Sequence, residues 1–416
     1  MSGLSMLRNI FIAGCCLLSG SAAHTAGFQL NLQGLRQLAM GNCGVAYPWD
    51  NAVIFYNPGA LSRLDHTMIS GSILGIFPAT QLLQPTTGVV SSSESQVFTP
   101  FNLYVSTPLR QVKGLSLGLG VYTPFGTGLK WDRNWTGRYI TQDIGLQSIF
   151  IQPTVGYRIN DLVSVGAGFV YATGNFYLDR ALPLQFQKGE DGQAKLKGNA
   201  NGLGYNLGVQ VQVSPRFSAG LSYRSGVRMK VKKGDATFQA PAAVAANFPA
   251  TNFSAELPLP SVISVGLTAQ LTNRFTLSVE GNFVGWKTYD TLRFDYEQET
   301  AILKDTRAPR LYRNTATARL GLQYAINDKF DVMAGGAYDG SPVRDNFVSP
   351  DLPDADRLVF TAGVNVKPTS RLVLTAAIEF VNVRKRDGWY ETEAFGGTYQ
   401  TKAFTAGIGA SYTFRK

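Results

Sequence analysis

From Phe404 to Phe414 the chain reads FTAGIGASYTF, with Phe404, Ala406, Ile408, Ala410, Tyr412 and Phe414 on one side of an extended backbone and Thr405, Gly407, Gly409, Ser411 and Thr413 on the other. Side chains of a strand alternate between its two faces, so this segment has one face fit for lipid and one small polar face. The same period of two returns near residues 67–79, 97–107, 114–124, 146–159, 162–175, 203–214, 216–230, 257–271, 274–289, 313–326, 329–339, 356–368, 371–385 and 402–414. A closed sheet of about fourteen such strands would be apolar outside and polar inside, and bacterial single-chain barrels have even strand numbers. A soluble β-sandwich also alternates, but its apolar faces meet in a shared core and need shorter strands. The pattern therefore predicts an all-β transmembrane antiparallel barrel over 67–416.

Composition supports one large domain. The 416 residues show no Pro/Ser-rich linker, and no uncharged apolar run reaches the ~18 residues of a membrane-spanning helix. Forty-four Gly, 25 Phe and 18 Tyr suit a barrel, where Gly relieves crowding inside and aromatics form belts at the membrane interfaces. Residues 1–23 read as an export signal: Arg8, an apolar stretch from Ile10 to Leu18, then Ser21 and Ala23 before a cut. Ile12 to Cys15 also resembles a lipoprotein cleavage box, although the apolar stretch between Arg8 and Cys15 is short for one. With Cys15 and Cys16 removed, Cys43 is the sole cysteine, expected to be a small buried packing residue. The net charge of +10 is dispersed, which points to anionic lipopolysaccharide and outer-membrane lipid as surroundings and not to nucleic acid. The chain is expected to act as a monomer.

Connections alternate in length. Asn160-Asp161, Ser214-Pro215, Thr272-Asn273, Asn327-Asp328 and Pro368-Thr369-Ser370 are tight-turn chemistry, and the intervening connections are long. Short turns face the periplasm in such barrels. The strand phase puts Ala318, Leu320, Leu322 and Tyr324 toward lipid and Arg319, Gln323, Glu280 and Asn282 toward the lumen, because a charge at mid-bilayer costs about 2–4 kcal/mol. Residues 24–66 do not alternate, yet carry Phe28, Leu30, Leu35, Trp49, Ile54, Phe55 and Tyr56. Left outside in the periplasm, these would be an aggregation hazard, so the segment is expected to fold inside the lumen as a plug, or hatch.

AGFQLN at 26–31, Asn57-Pro58-Gly59, VYTPFGTGLKWDRNWTGRY at 121–139, LPSVISVGLTAQLTNRFTLSVEGNFVGW at 259–286, AYDGSP at 337–342 and LPDADR at 352–357 resemble, in this order, the FadL/TodX family of outer-membrane transporters for long-chain fatty acids and other hydrophobic compounds. The resemblance spans essentially the whole mature chain. It departs at Gly59, where the family has Ala, and at the Arg415-Lys416 end, where a terminal aromatic is usual.

Chemistry for catalysis is sparse. Two histidines, His24 and His66, and no Cys/His cluster make an enzyme, a metal site or a cofactor unexpected. The residues between Pro124 and Ile144 include Phe125, Leu129, Trp131, Trp135, Tyr139 and Ile140, more apolar area than an outward loop needs; it either receives an apolar ligand or seals a core of its own. The resemblance assigns this loop, with the following long loop at about 178–202, to a groove that first captures ligand. It also implies that Phe28 and Leu30 lie on the ligand path and that Arg180 and Arg313 meet the head group; Lys304 and Arg319 qualify by position. Salt bridges to Asp179, Glu280 or Asp305 are the alternative role for these cations. For gating, the resemblance implies sideways release past a kinked third strand, LSLGLGVYTPF, with Gly118, Gly120 and Pro124 as places to bend, clearance for the plug being the alternative role of the glycines, and Asn57, Pro58 and Gly59 setting the resting position of the plug. The expected function is passive transport of long-chain fatty acids, with aromatic or alkane hydrocarbons as the rival cargo. A barrel that merely anchors a secretion machine is the alternative of another class.

Overall fold

The computed structural model describes residues 27–414; the export signal, the box around Cys15 and His24 lie outside them. Alternation over so many segments leaves a sheet with no edge. Seven strands run β1 (Thr67–Leu83), β2 (Phe101–Pro108), β3 (Leu115–Tyr122), β4 (Asp143–Arg158), β5 (Val163–Gln185), β6 (Asp191–Ser214) and β7 (Phe217–Arg224). Seven more follow: β8 (Val262–Gln270), β9 (Phe275–Val284), β10 (Thr315–Ala325), β11 (Phe330–Asp339), β12 (Arg357–Val366), β13 (Leu372–Val383) and β14 (Phe395–Phe414). Each pairs antiparallel with the next, and β14 pairs with β1 from Thr67↔Phe414 to Leu83↔Thr398, closing a barrel of fourteen strands. Closure removes the sheet edges, which is what a bilayer demands.

The phase is the one the sequence dictates. Ile69, Ile73 and Phe77 on β1, Leu320 and Tyr324 on β10, and Phe404, Ile408 and Phe414 on β14 are exposed on the outer face, whereas Thr405 between them is 1% exposed. Arg319, Gln323, Glu280 and Asn282 are buried on the inner face. Four tight turns share one device, a side-chain oxygen that receives two successive backbone N–H groups: Asn160 Oδ1 from Leu162 and Val163, Thr272 Oγ1 from Arg274 and Phe275, Asn327 Oδ1 from Lys329 and Phe330, and Thr369 Oγ1 from Arg371 and Leu372.

One expectation is corrected. Residues 178–202 are not an irregular loop: β5 and β6 continue as a paired hairpin from Val163↔Val211 out to Gln185↔Asp191. Here Ala194, Leu196 and Ala200 are buried while Lys195 and Lys197 point to water. Charged residues on the outward face identify strands that stand above the bilayer, and a search for lipid-grade faces passes over them. Val227–Gln239, Thr251–Leu259, Thr291–Tyr296 and Thr306–Pro309 extend this upper sheet.

Residues 27–66 lie against the inner wall. A short helix α1 (Leu35–Ala39) ends where Gly41 and Asn42 both take positive φ of 65°. A second, α2 (Val53–Tyr56), leads into a 3₁₀ turn at Pro58–Arg63. Backbone groups that these short elements leave unpaired are met by lumen side chains. Glu280 Oε2 accepts from Gly44 N (2.9 Å) and Val45 N (3.1 Å), Arg319 donates to Asn42 O (2.9 Å) and Glu280 (3.2 Å), and Arg36 donates to Gln323 Oε1 (2.7 Å). Cys43 is buried, its Sγ 3.8 Å from Ser278 O.

Glycines in the wall let the segment approach. A Cβ at Gly208 would overlap Asn57 Oδ1, one at Gly166 the Pro58 carbonyl, and one at Gly335 the Gly41 amide. Conversely, a Cβ at Gly59 would come 2.7 Å from the Gly208 carbonyl carbon, so the departure from Ala at this position is a matter of clearance, not backbone freedom. Gly208→Val is expected to lift the Asn57–Gly59 turn at a cost of about 1–3 kcal/mol. Limited proteolysis should then cut residues 27–66 sooner, with the heat-modifiable gel mobility of the barrel retained; unchanged cleavage would refute the close fit.

Candidate functional site

The ladder of β3 fails at one place. Tyr122 pairs with Phe150 and Gly126 with Gln147, so Thr123, Pro124 and Phe125 stand opposite only Ile149 and Ser148. Pro124 has no N–H to offer, and a bulge is the way a strand accommodates that. Ser148 repairs the β4 side: its hydroxyl donates to Phe125 O (2.7 Å) and accepts from Phe125 N (3.2 Å). On the β2 side, Thr123 Oγ1 accepts from Phe101 N (3.2 Å), and beyond it no backbone hydrogen bond joins residues 95–100 to residues 124–129 among the described residues. Pairing resumes where Glu94 N donates to Lys130 O at 2.8 Å. The result is an unzipped window in the wall, backed by a cavity of about 420 Å³ lined by Val97, Phe98, Thr127, Gly128 and Leu146 among others.

The bend therefore lies at Pro124. Through Gly118 and Gly120 the ladder is continuous on both sides, and the Ile54 side chain of the N-terminal segment covers both α-carbons. The N-terminal segment also lines the window from inside: Leu30 N donates to Pro124 O (2.8 Å) and Gly126 N to Phe28 O (3.0 Å), a short added strand.

Phe28 stands between two spaces. Its ring packs edge-on to Trp286 (5.0 Å) and Tyr289 (5.6 Å) and tilts against Phe125 (6.1 Å). On one side is the window cavity. On the other is an apolar pocket roofed by the upper sheet, with Ile144, Phe176, Met229, Val231, Leu257 and Phe294 on its walls and Phe28, Thr127 and Leu146 shared with the window cavity. The pocket is narrow, about 60 Å³, room for only a few water-sized groups until a wall moves.

One charged pair borders this pocket. Arg310 grips Asp351 with both arms, Nη1 to Oδ1 at 3.0 Å and Nη2 to Oδ2 at 2.6 Å, and both side chains are buried. Burial opposes charge on each, and their mutual attraction outweighs it, holding the Asp351 carboxyl below its ordinary range and the Arg310 guanidinium well above its own. Three residues on, Asp354 accepts from Gly27 N (3.0 Å), Ser341 Oγ (2.9 Å) and Arg357 Nη2 (2.7 Å), and Arg357 also reaches Gly27 O (3.4 Å). The segment that supplies the pocket's carboxylate thus also holds the residue before Phe28.

Among the sequence-named residues, Phe28 borders the apolar pocket and the window cavity, and Phe125 and Leu30 border the latter. Trp131 and Trp135 stack at 4.5 Å in the roof, buried, with Trp131 Nε1 donating to Pro350 O (3.1 Å) and Trp135 Nε1 to Thr141 O (2.7 Å). Tyr139 sits in a polar cluster with Arg138 and Asp191, beside an open cleft between the upper loops that Phe186, Phe238 and Phe248 also line. Arg180, half-buried opposite Ala194, makes no side-chain hydrogen bond or ion pair to another described residue; Asp179 pairs instead with Lys195 at 3.2 Å. Arg313 is exposed in a surface cleft with Asp345 and Asp356, its Nε donating to Ser341 O (3.3 Å). Lys304 pairs with Glu299 (3.1 Å). Neither Arg180 nor Arg313 borders the apolar pocket. Asn57 is buried and ties the segment together, Nδ2 donating to Val45 O (2.7 Å) and Val209 O (3.0 Å) and Oδ1 accepting from Gly59 N (3.0 Å) across Pro58.

The family described as "Outer membrane protein transport protein (OMPP1/FadL/TodX)" matches residues 16–414. The "Long-chain fatty acid transport protein" of Escherichia coli O6:H1 is 23% identical over 408 residues, 88% of each chain. A Pseudomonas aeruginosa FadL homologue of known structure superposes with a TM-score of 0.83 at 19% identity, over 94% of this chain and 100% of that one. The Pseudomonas putida toluene transporter TodX superposes at 0.71 with 17% identity, over 92% and 99%.

Removing the Asp354 carboxylate is expected to free Gly27 and Phe28. A cysteine placed at Gln29 should react faster with a maleimide in an Asp354→Ala background than in the parent; equal rates would show that Asp354 does not hold this segment.

Proposed function

The chain belongs to the OMPP1/FadL/TodX family of outer-membrane transport proteins for hydrophobic compounds, and from that premise we propose that its cargo is long-chain fatty acid, released sideways through the β3 window. The observation that carries this reading is Phe28, which alone of the described N-terminal residues borders both the apolar pocket and the window cavity. Each methylene withdrawn from water is worth about 0.8 kcal/mol, so an acyl chain needs an unbroken apolar path. The closed pocket is too narrow to hold one. Withdrawal of Phe28 joins pocket and window into such a path, and residues 27–66 act as the plug that blocks it at rest. Arg310 at the polar border of the pocket supports an acidic head group, since a guanidinium binds a carboxylate with two parallel hydrogen bonds.

A second reading, neutral aromatic or alkane cargo, draws support from the same residue, because Arg310 is already neutralised by Asp351. Uptake by cells lacking the endogenous gene separates the two. Wild-type protein is expected to restore uptake of labelled oleate. Thr127→Trp, which fills the wall common to pocket and window, is expected to abolish uptake at equal surface expression. Restored uptake of toluene without oleate would establish the second reading, and undiminished oleate uptake in Thr127→Trp would refute the path.

A further inference from the structure

We propose that Asp351 is an internal stand-in for the cargo's carboxylate: it occupies Arg310 in the empty protein, an incoming acid head group displaces it, and the exchange sets cargo selectivity. The inference rests on the fatty-acid reading and goes beyond it, since it assigns selectivity to a competition inside the protein.

Three observations carry it. The pairing is bidentate and buried, the geometry a guanidinium makes with a free carboxylate, so Asp351 already fills the seat that a fatty acid's head group would take. The pair lies at the border of an otherwise apolar pocket, and Asp351 faces two spaces, the apolar pocket and the polar lumen cavity that also contains Asp354 and Arg357, so the displaced carboxylate has a polar volume to enter. A buried cation stripped of its partner is costly, so the exchange proceeds only when a second anion arrives. A neutral hydrocarbon cannot offer one. Asp351 also shares a short, proline-bounded segment, Pro350 to Pro353, with the Trp131 acceptor Pro350, and Asp354, which accepts from Gly27 N, comes directly after Pro353. Displacing Asp351 therefore strains the bond that holds the peptide preceding Phe28, which gives head-group arrival a route to the plug.

The test measures dissociation constants of oleate and of oleyl alcohol, its uncharged counterpart of equal chain length, for the purified mature protein in detergent by titration calorimetry. Asp351→Asn removes the competing charge. It is expected to tighten oleate by roughly tenfold to a hundredfold, the value of a charge-assisted hydrogen bond, with oleyl alcohol unchanged. The paired change Arg310→Met with Asp351→Leu replaces the ion pair by apolar groups, an exchange that buried pairs tolerate, and keeps the question answerable if the single change does not fold. In it oleate is expected to bind more weakly than oleyl alcohol. The proposal is overturned if Asp351→Asn shifts both ligands by the same factor or leaves oleate where it was, or if the paired change binds oleate as the wild type does. Those results would leave the transport reading standing. Wild-type protein that binds neither ligand but takes up toluene would instead remove the fatty-acid reading, and the proposal with it.

Discussion

The structure depends on the pairing of lumen side chains with an N-terminal segment whose short helices and turns leave part of its backbone without a partner. A barrel of fourteen strands pairs most of its own backbone but leaves a row of inward polar groups, and the segment from Gly27 to Asp65 is built of turns and short helices whose local hydrogen bonds leave several N–H and C=O groups without a partner in the segment. Each need meets the other. Glu280 takes the Gly44 and Val45 amides, Arg319 takes the Asn42 carbonyl, and Gln152 and Asn206 donate to the carbonyls of Ile54 and Phe55. An unmet buried polar group costs about 1–3 kcal/mol, so the match holds the segment in one position, and the same number sets the penalty for moving all of it at once.

That penalty is unevenly distributed along the segment. From Leu35 to Arg63 the segment touches most of the wall, through glycines that admit its backbone and side chains that grip it. From Gly27 to Leu30 it hangs on a handful of bonds, two to Pro124 and Gly126 of the bulged strand and two to the Asp354 and Arg357 pair. The weakly held part is also the part that carries Phe28. Local opening is drawn from such low-stability regions, while a buried, cross-linked segment stays in place. A loosely held tip and an anchored remainder are thus consequences of where the hydrogen bonds fall.

Much of the fold was legible because the bilayer imposes a period of two and penalises its violation, which is why Leu320 and Arg319 could be assigned to opposite faces from sequence. The upper hairpins were not legible as strands: Lys195 and Lys197 obey the same alternation but face water, so a criterion of lipid-grade faces excluded them. In β3 the sequence offered Gly118, Gly120 and Pro124 as places to bend and left the glycines the alternative of clearance; Ile54 lies against both glycines, and pairing stops at Pro124, which has no N–H. Gly59 followed the same logic, its lack of a side chain set by Gly208 across the interface.

The cations show why the site was harder to see than the fold. Arg180 and Arg313 were singled out by position and by the family resemblance, but a pocket on an upper sheet is assembled from segments far apart in the chain, and Arg310 differs from Arg313 by only three residues. What separates them is the company they keep. Arg313 faces a surface cleft among acids and bases, while Arg310 is turned inward onto Asp351, forty-one residues away. Sequence spacing has no access to that pairing, because it is made by the return of the connection between β11 and β12 over the barrel mouth. The same return brings Asp354 to Gly27, a separation of 327 residues. One short connection thus sets both the electrostatic border of the pocket and the tether of the peptide preceding Phe28, so under the proposed function a change in this connection alters both together.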